Sequence, residues 1–482
     1  MNKKKFYITC AIPYVNSSPH VGHALEFVQT DTIARYHRLL GEDVLSLSGG
    51  DENALKNVQA AEEAGAPIQE FVDKNTELFR QLAIKLNAEF DVWQKGSDKV
   101  HHFPSSQELW KLCDKAGDIY KKKYEGLYCI GCETFYSPEE LNENGECFEH
   151  PGKKLQKVSE ENYFFTLSKY QEKLIDLIQS NELKIIPETR KNEVLSFLKE
   201  PLQDISISRT NERAKNWGVP VPEDPTQRIF VWFDALNIYQ SGIGFGWDEK
   251  KYKKYWPADV HVIGKGITRF HAVYWPAFLL SAGLKLPKSI FVHGYLTVNG
   301  QKMSKTVGNV VDPIEFIEKY GVDALRYYLL AKVSPFTDGD FSEEKLKDAY
   351  NADLANGLGN LISRVAKLCE NAGVEVEPTE QRLKRPVGGY LQKYDFSRAL
   401  NYIWGRDVKW GIRWLDQLIN EKRPWGIDDK KGLESSLNLF VSNIRDIAYN
   451  LRPFLPETAE KIERQFKGPK IKSEAPLFPR VK

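Results

Sequence analysis

Three clusters in the 482-residue chain have residue types and spacings that could do chemistry. The first is Pro19-His20-Val21-Gly22-His23, between a strand-like run and a helical pattern. A helix start offers backbone N–H groups and a partial positive charge, which suits phosphate. Two imidazoles three residues apart fall on one side of the first turn, and Gly22 removes a side chain that would block a nucleotide. The second is Lys302-Met303-Ser304-Lys305-Thr306, after Val298-Asn299-Gly300 and before Gly308. Two lysines on a glycine-flanked loop can clamp phosphates and neutralise charge during an in-line displacement. The third is Cys129-x2-Cys132, fourteen residues, then Cys147-x2-His150, a spacing that closes a tetrahedral, structural zinc site. Each has a plainer reading: two surface histidines, an exposed basic loop, and reduced or redox-active cysteines. The third Cys and the His argue against a redox pair.

These groups need elements to hold them. Residues 6–12 read as a buried strand, residues 20–40 as a helix, and Val44–Ser48 as the next strand, closed by Gly49-Gly50. Strand–helix–strand with short turns predicts a parallel α/β sheet. Residues 52–120 look mostly helical. Residues 121–165 are rich in Gly, Asn, Glu and Cys with little apolar periodicity, and a helical stretch follows to Lys199. The α/β character returns at Ile229-Phe-Val-Trp-Phe, Val260-His-Val-Ile-Gly and Ile290-Phe-Val-His-Gly. The expected organisation is a catalytic α/β domain in two halves (1–115 and 221–295), a connective insertion over 116–220, a loop and stem-contact region over 296–350, and an all-helical domain over 351–482. In the last, Phe396, Leu400, Ile403, Val408, Ile412, Leu415 and Leu418 predict one apolar helix face.

Composition narrows the class. The chain is 41% hydrophobic and 28% charged, ordinary for a soluble globular protein. It has no apolar run of membrane-spanning length, and Phe6–Val15 is broken by Pro13 without a small-residue cleavage site, so no membrane partner and a cytoplasmic location are expected. The net charge of +1 hides an acidic body and a basic segment after residue 350. That asymmetry fits a polyanion partner or a solvated helical surface, and both stay open.

The strand–turn–His-x-Gly-His–helix arrangement resembles the HIGH signature of class I aminoacyl-tRNA synthetases, and Lys302–Thr306 resembles their KMSKS loop, with Thr306 at the final serine. Thr9-Cys-Ala-Ile-Pro-Tyr-Val-Asn, Val231-Trp-Phe-Asp-Ala-Leu, Phe270-His-Ala-Val-Tyr-Trp-Pro-Ala and Val292-His-Gly-Tyr-Leu resemble the methionyl-tRNA synthetases in particular. The resemblance covers nearly the whole chain. It implies a Rossmann-like parallel-sheet catalytic domain split by a zinc-bearing insertion and followed by a C-terminal all-α bundle. The implied reaction is attack of a methionine carboxylate on the α phosphate of ATP, then transfer of the aminoacyl group to a ribose hydroxyl of tRNA(Met). No side-chain nucleophile is required.

The same resemblance implies residue roles. His20, His23, Lys302 and Lys305 would be catalytic; Pro13, Tyr14, Gly22 and Gly264 would join them around ATP, with Mg²⁺. Ala11, Ile12, Tyr14, Trp232, Ala235, Leu236, Tyr239, Ile267 and His271 would form the methionine pocket, with Asp51 on the ammonium. A soft thioether suits aromatic walls, although residue types alone fit ordinary core aromatics equally. Cys129, Cys132, Cys147 and His150 would hold one structural Zn²⁺, and Asn360, Arg364 and Trp425 would read the anticodon. With no strand-rich module appended, a monomer is expected. Two positions depart from the family: Asn53-Ala54 where His-Gly is common, and Gly266 where an Asp commonly faces the ATP ribose. Rival readings are a cysteine enzyme, disfavoured because its zinc is not in an insertion; leucine, isoleucine or valine enzymes, disfavoured because the chain is too short for an editing domain; and a non-catalytic tRNA-binding relative.

Overall fold

The structure, a computed structural model, describes residues 3–129, 134–136, 138–149, 152–303, 308–405 and 408–481. It divides into two compact units, one of residues 1–19, 42–83 and 89–293, the other of residues 20–41, 84–88 and 294–482.

The first unit is built on a six-stranded parallel sheet. Its strands are β1 (Lys5–Cys10), β2 (Asp43–Gly50), β3 (Val92–Lys95), β4 (Lys184–Ile186), β5 (Val260–Gly264) and β6 (Ser289–His293), in the spatial order β3-β2-β1-β5-β6-β4. Thr9 pairs with His261 and Leu47, so β1 lies between β5 and β2. The runs Phe6–Cys10, Val260–Ile263 and Ser289–His293 are buried throughout, as parallel strands covered on both faces must be. Trp110, Phe165, Phe233 and Phe278 pack edge-on or tilted in the core beside them.

Between β3 and β6 the chain makes a second sheet, antiparallel, ordered Thr134–Tyr136, Ile119–Cys129, Gln156–Phe165, Ile205–Ser206. The absence of helical periodicity over 121–165 thus reflects a long hairpin. Its strands alternate poorly because Lys121, Lys122 and Lys123 all stay exposed, and Lys123 faces Glu161 across the ladder.

Three expectations are corrected. β3 and β4, only four and three residues long, interrupt stretches read as helical; segments this short carry almost no periodicity. Residues 229–233 are not a strand: the strand Asp224–Ile229 ends there, and Val231–Ser241 is a helix buried on every side. The run Ile229-Phe-Val-Trp-Phe that leads into it is wholly apolar, and periodicity alone does not tell a short apolar run of helix from a strand.

The second unit contains the helix Val21–Leu39, the helices Pro313–Tyr320 and Val322–Ala331, a small sheet of Gln301–Lys302, Leu296–Val298 and Gly339–Phe341, and the helices that follow Glu343. The stripe from Phe396 to Leu418 is carried by two helices, Phe396–Ile403 and Ile412–Lys422, not one. Gly405 and Gly411 between them both have positive φ, which ends one helix and reorients the chain into the next. Phe396, Leu400, Ile403, Ile412 and Leu415 are nonetheless all buried, whereas Leu418 is half-buried and Val408, also half-buried, lies between the two helices. Arg326, fully buried, ties this unit together. Its guanidinium donates to Asp31 Oδ2 (2.7 Å), Leu86 O (3.1 Å), Phe454 O (2.8 Å) and Pro453 O (3.3 Å).

Candidate functional site

His20 caps the helix Val21–Leu39, and its side chain accepts from Gly22 N–H at 3.1 Å. His23, at the third helical position, accepts from His20 N–H through its own Nδ1, also at 3.1 Å. This is a capping box made of two imidazoles, where Ser/Thr and Glu are usual. An Nδ1 that accepts carries no proton, so each neutral ring holds its proton on Nε2 and can donate from there. The ring centroids are 3.9 Å apart. Gly22 has a reason that sequence alone did not supply: a Cβ there would sit 2.9 Å from His20 Cε1, so any larger residue displaces the capping ring.

Within the same unit, residues almost 300 positions away meet this helix start. Val21 N–H donates to Val311 O at 3.0 Å, and Met303 Cε would lie 3.4 Å from a Cβ on Gly22. Met303 belongs to the second cluster. The turn before it is Asn299-Gly300, both at positive φ, closing the hairpin of Leu296–Val298 with Gln301–Lys302, a two-residue connection that Asn-Gly favours. Asp340 braces it, accepting from Gly300 N–H (2.7 Å) and Thr297 Oγ1 (2.7 Å). Lys302 is placed by its backbone only, and Lys305, with Ser304 and Thr306, lies outside the described residues.

In the first unit, the expected methionine residues gather at the carboxyl ends of parallel strands. Ala11–Tyr14 follow β1, Asp51 follows β2, and Gly264 ends β5. The chain runs from β1 outward to β2 and β3 on one side and from β5 to β6 on the other. The β1/β5 boundary is therefore the switch point where open α/β sheets bind ligands. Tyr14 and Asp51 form an isolated parallel bridge, with Asp51 N–H donating to Pro13 O at 2.9 Å. Helix Val231–Ser241 supplies Trp232, Ala235, Leu236 and Tyr239, all buried. Tyr14 meets Trp232 edge-on at 6.1 Å, and Lys56 Nζ sits 3.2 Å over the Tyr14 ring.

His271 has a defined state. Its Nδ1 is 3.0 Å from Ile267 O, which can only accept, so the proton is on Nδ1. Its Nε2 then accepts from Tyr239 OH at 2.8 Å. Burial pushes its pKa down to about 4, so the ring is neutral and the pair is a fixed polar feature in an apolar wall. Gly264, Gly266 and Ile267 lie at the single 3₁₀ turn that follows β5, held by Thr268 Oγ1 donating to Lys265 O at 2.8 Å.

Of the cysteine cluster, Cys129 and Cys147 are described and both are buried. Their sulfurs are 3.3 Å apart, too far for a disulfide, whose S–S bond is about 2.0 Å. Two thiols converging in this way suit a shared cation. Cys132 and His150 lie outside the described residues. In the second unit, Arg364 lies 5.3 Å from the Trp425 ring and is oriented by Asp416 Oδ1 (2.9 Å) and Asn420 Oδ1 (2.6 Å). Trp425 is 59% exposed. Asn360 is exposed at the start of the helix that carries Arg364.

Several neighbours carried no motif. Phe270 stacks on Trp232 at 3.6 Å and 3°. His261, fully buried, bonds Thr9 Oγ1 (2.5 Å) and packs its ring 4.6 Å from Tyr239. Asn57 Nδ2 donates to Asp51 O (2.8 Å) and Trp217 Nε1 to Glu52 O (2.8 Å). Phe270 and His261 lay inside quoted stretches and could have been singled out; Asn57 and Trp217 are brought to the site only by folding.

The family described as "tRNA synthetases class I (M)" matches residues 6–366. A methionine–tRNA ligase of Brucella suis is 39% identical, covering 100% of this chain and 98% of its own length. That of Mycobacterium bovis is 41% identical over 95% of this chain and 91% of its own. The solved methionyl-tRNA synthetase of Mycobacterium tuberculosis bound by methionyl-adenylate superposes with a TM-score of 0.90 at 37% identity, covering 99% of this chain and 100% of that one. The chain belongs to the methionine–tRNA ligase family of class I synthetases. No helix among the described residues is long and apolar enough to cross a membrane.

Proposed function

We infer that the chain joins L-methionine to ATP, giving methionyl-adenylate and pyrophosphate, and then transfers the methionyl group to the 3′ end of tRNA(Met). The observation that carries this is the full-length match to methionine–tRNA ligases together with the likeness to a synthetase bound by methionyl-adenylate.

In this reading Asp51 holds the substrate ammonium. Ala11, Ile12, Tyr14, Trp232, Ala235, Leu236, Tyr239, Ile267 and His271 surround the side chain. The neutral Tyr239–His271 pair adds no charge to a pocket that receives an uncharged thioether. His20 and His23 offer Nε2–H groups to phosphoryl oxygens, with their tautomers set by the capping bonds. Lys302 and Lys305 neutralise the departing pyrophosphate. Pro13, Gly22 and Gly264 let the nucleotide approach the backbone. Mg²⁺ bound with ATP would supply further charge neutralisation on the phosphates. A structural zinc would be held by Cys129, Cys132, Cys147 and His150, and the approach of the two described sulfurs supports it. Residues 351–482 form the anticodon-binding domain, where exposed Trp425 stacks on an unpaired base and Asn360 and Arg364 bond base edges. A monomer in the cytoplasm completes the proposal.

Pyrophosphate exchange with each amino acid in turn tests it. Methionine alone should support exchange. Exchange with another amino acid would reassign the substrate, and none with any would favour a tRNA-binding relative that has lost activation.

A further inference from the structure

Asn53 occupies a place where histidine is common in the family, and the structure gives it a specific task. The side chain is buried, and its Nδ2 donates twice, to Gly96 O and to Asp234 Oδ2, each at 2.8 Å. Asp234 is buried on helix Val231–Ser241, the helix that carries Trp232, Ala235, Leu236 and Tyr239. Its other oxygen lies 3.3 Å from His102 Nε2, and His102 Nδ1 lies 2.8 Å from Ser241 Oγ on that same helix. Asn53 therefore joins the segment after β2 directly to the apolar wall.

That segment is otherwise pinned. Asp51 O accepts from Asn57 Nδ2, and Glu52 O accepts from Trp217 Nε1. The Glu52 carboxylate accepts from Thr76 Oγ1 (2.5 Å), Ser97 N–H (2.9 Å) and Ser97 Oγ (2.6 Å). Those bonds tie residues 51 and 52 to other elements. The Asn53–Asp234 bond differs from them because it runs to the helix that lines the side-chain end of the amino-acid site.

We propose that Asn53 is a positioning residue for methionine: its bond to Asp234 sets the separation between the Asp51 carboxylate and the wall on helix Val231–Ser241, and so the length of amino acid that fits. This rests on the reading of Asp51 as the ammonium anchor. Leucine at 53 keeps the branched outline, at a larger volume, and removes the donor, leaving Asp234 with His102 alone and the two ends of the site free to drift. Histidine at 53 restores a donor.

The test is methionine-dependent pyrophosphate exchange in Asn53→Leu and Asn53→His. Asn53→Leu should raise KM for methionine about tenfold while KM for ATP stays within about twofold, the signature of a lost contribution to one substrate's binding. The preference for methionine over ethionine, one methylene longer, should also fall. Asn53→His should recover most of the methionine KM. If Asn53→Leu does not fold, Asn53→Ser, too short to reach Asp234, reads the same ratio. Methionine and ATP constants that move together, or a lower melting temperature with neither moved, would overturn the inference. Asp51→Ala separates the two claims. Unchanged methionine KM in that variant removes the ammonium reading, whereas its loss alongside an unmoved Asn53→Leu removes only the positioning role.

Discussion

Acid offers a direct probe of the proposed methionine wall, because His271 is buried as the neutral ring and its pKa is pushed from 6.5 down to about 4. Above pH 6.5 the ring is neutral in both the folded and the unfolded chain, and its full contribution to stability is present. Between pH 6.5 and 4 the unfolded chain takes up a proton that the folded chain refuses. Stability therefore falls as pH falls through that window and loses nothing more from this group below it. The full difference is worth about 3 kcal/mol, at 1.36 kcal/mol per pKa unit, and about 2 kcal/mol of it is gone by pH 5. His261, also fully buried and held well below its ordinary value by burial and by His271, pulls in the same direction. The experiment is urea unfolding followed by tryptophan fluorescence at pH 7.5 and pH 5, in the wild type and in His271→Gln. Glutamine offers a carbonyl to Tyr239 and an amide to Ile267 without titrating. The variant should lose about 2 kcal/mol less than the wild type across that interval. Equal losses in the two proteins would refute the buried neutral histidine.

Three further outcomes follow from single sites. Arg326→Met takes from the buried Asp31 carboxylate one of its guanidinium partners, leaving Arg35 Nε at 2.8 Å, and strips the donor from several carbonyls; it should destabilise the protein by at least about 2 kcal/mol in chemical unfolding, and a cost under about 1 kcal/mol would mean water replaces the guanidinium. Trp425→Ala, at an exposed ring, should cut tRNA charging at least about tenfold and leave methionine-dependent exchange intact, as loss of one base-stacking contact predicts; equal loss of both activities would point to folding instead. Metal analysis of the purified protein should return about one zinc per chain, and a metal-free protein with normal folding would remove the site.

Much of the proposed catalytic apparatus was legible in residue order because phosphate chemistry needs local devices. A helix start, two imidazoles and a glycine work within one turn, and His20, Gly22 and His23 are arranged in that way. The Asn299-Gly300 turn before the lysine loop is equally local. The strands β1, β2, β5 and β6 were legible because long apolar runs between turns have few other uses. Short β3 and β4, and the start of helix Val231–Ser241 within the apolar run 229–233, were not, since runs this short carry little periodicity.

What sequence determined by itself was the set of candidate site groups and the parallel α/β class, because both are written in short-range patterns. Only the tertiary structure decided which groups stand beside them. Sheet order put Asp51 and Ala11–Tyr14 at one switch point. Burial fixed the charge of His271, and the Ile267 carbonyl fixed its tautomer. Asn53, a bare departure in the sequence, became a bond to Asp234 across 181 positions. Such contacts depend on how distant segments pack, and no local propensity encodes a partner that far along the chain.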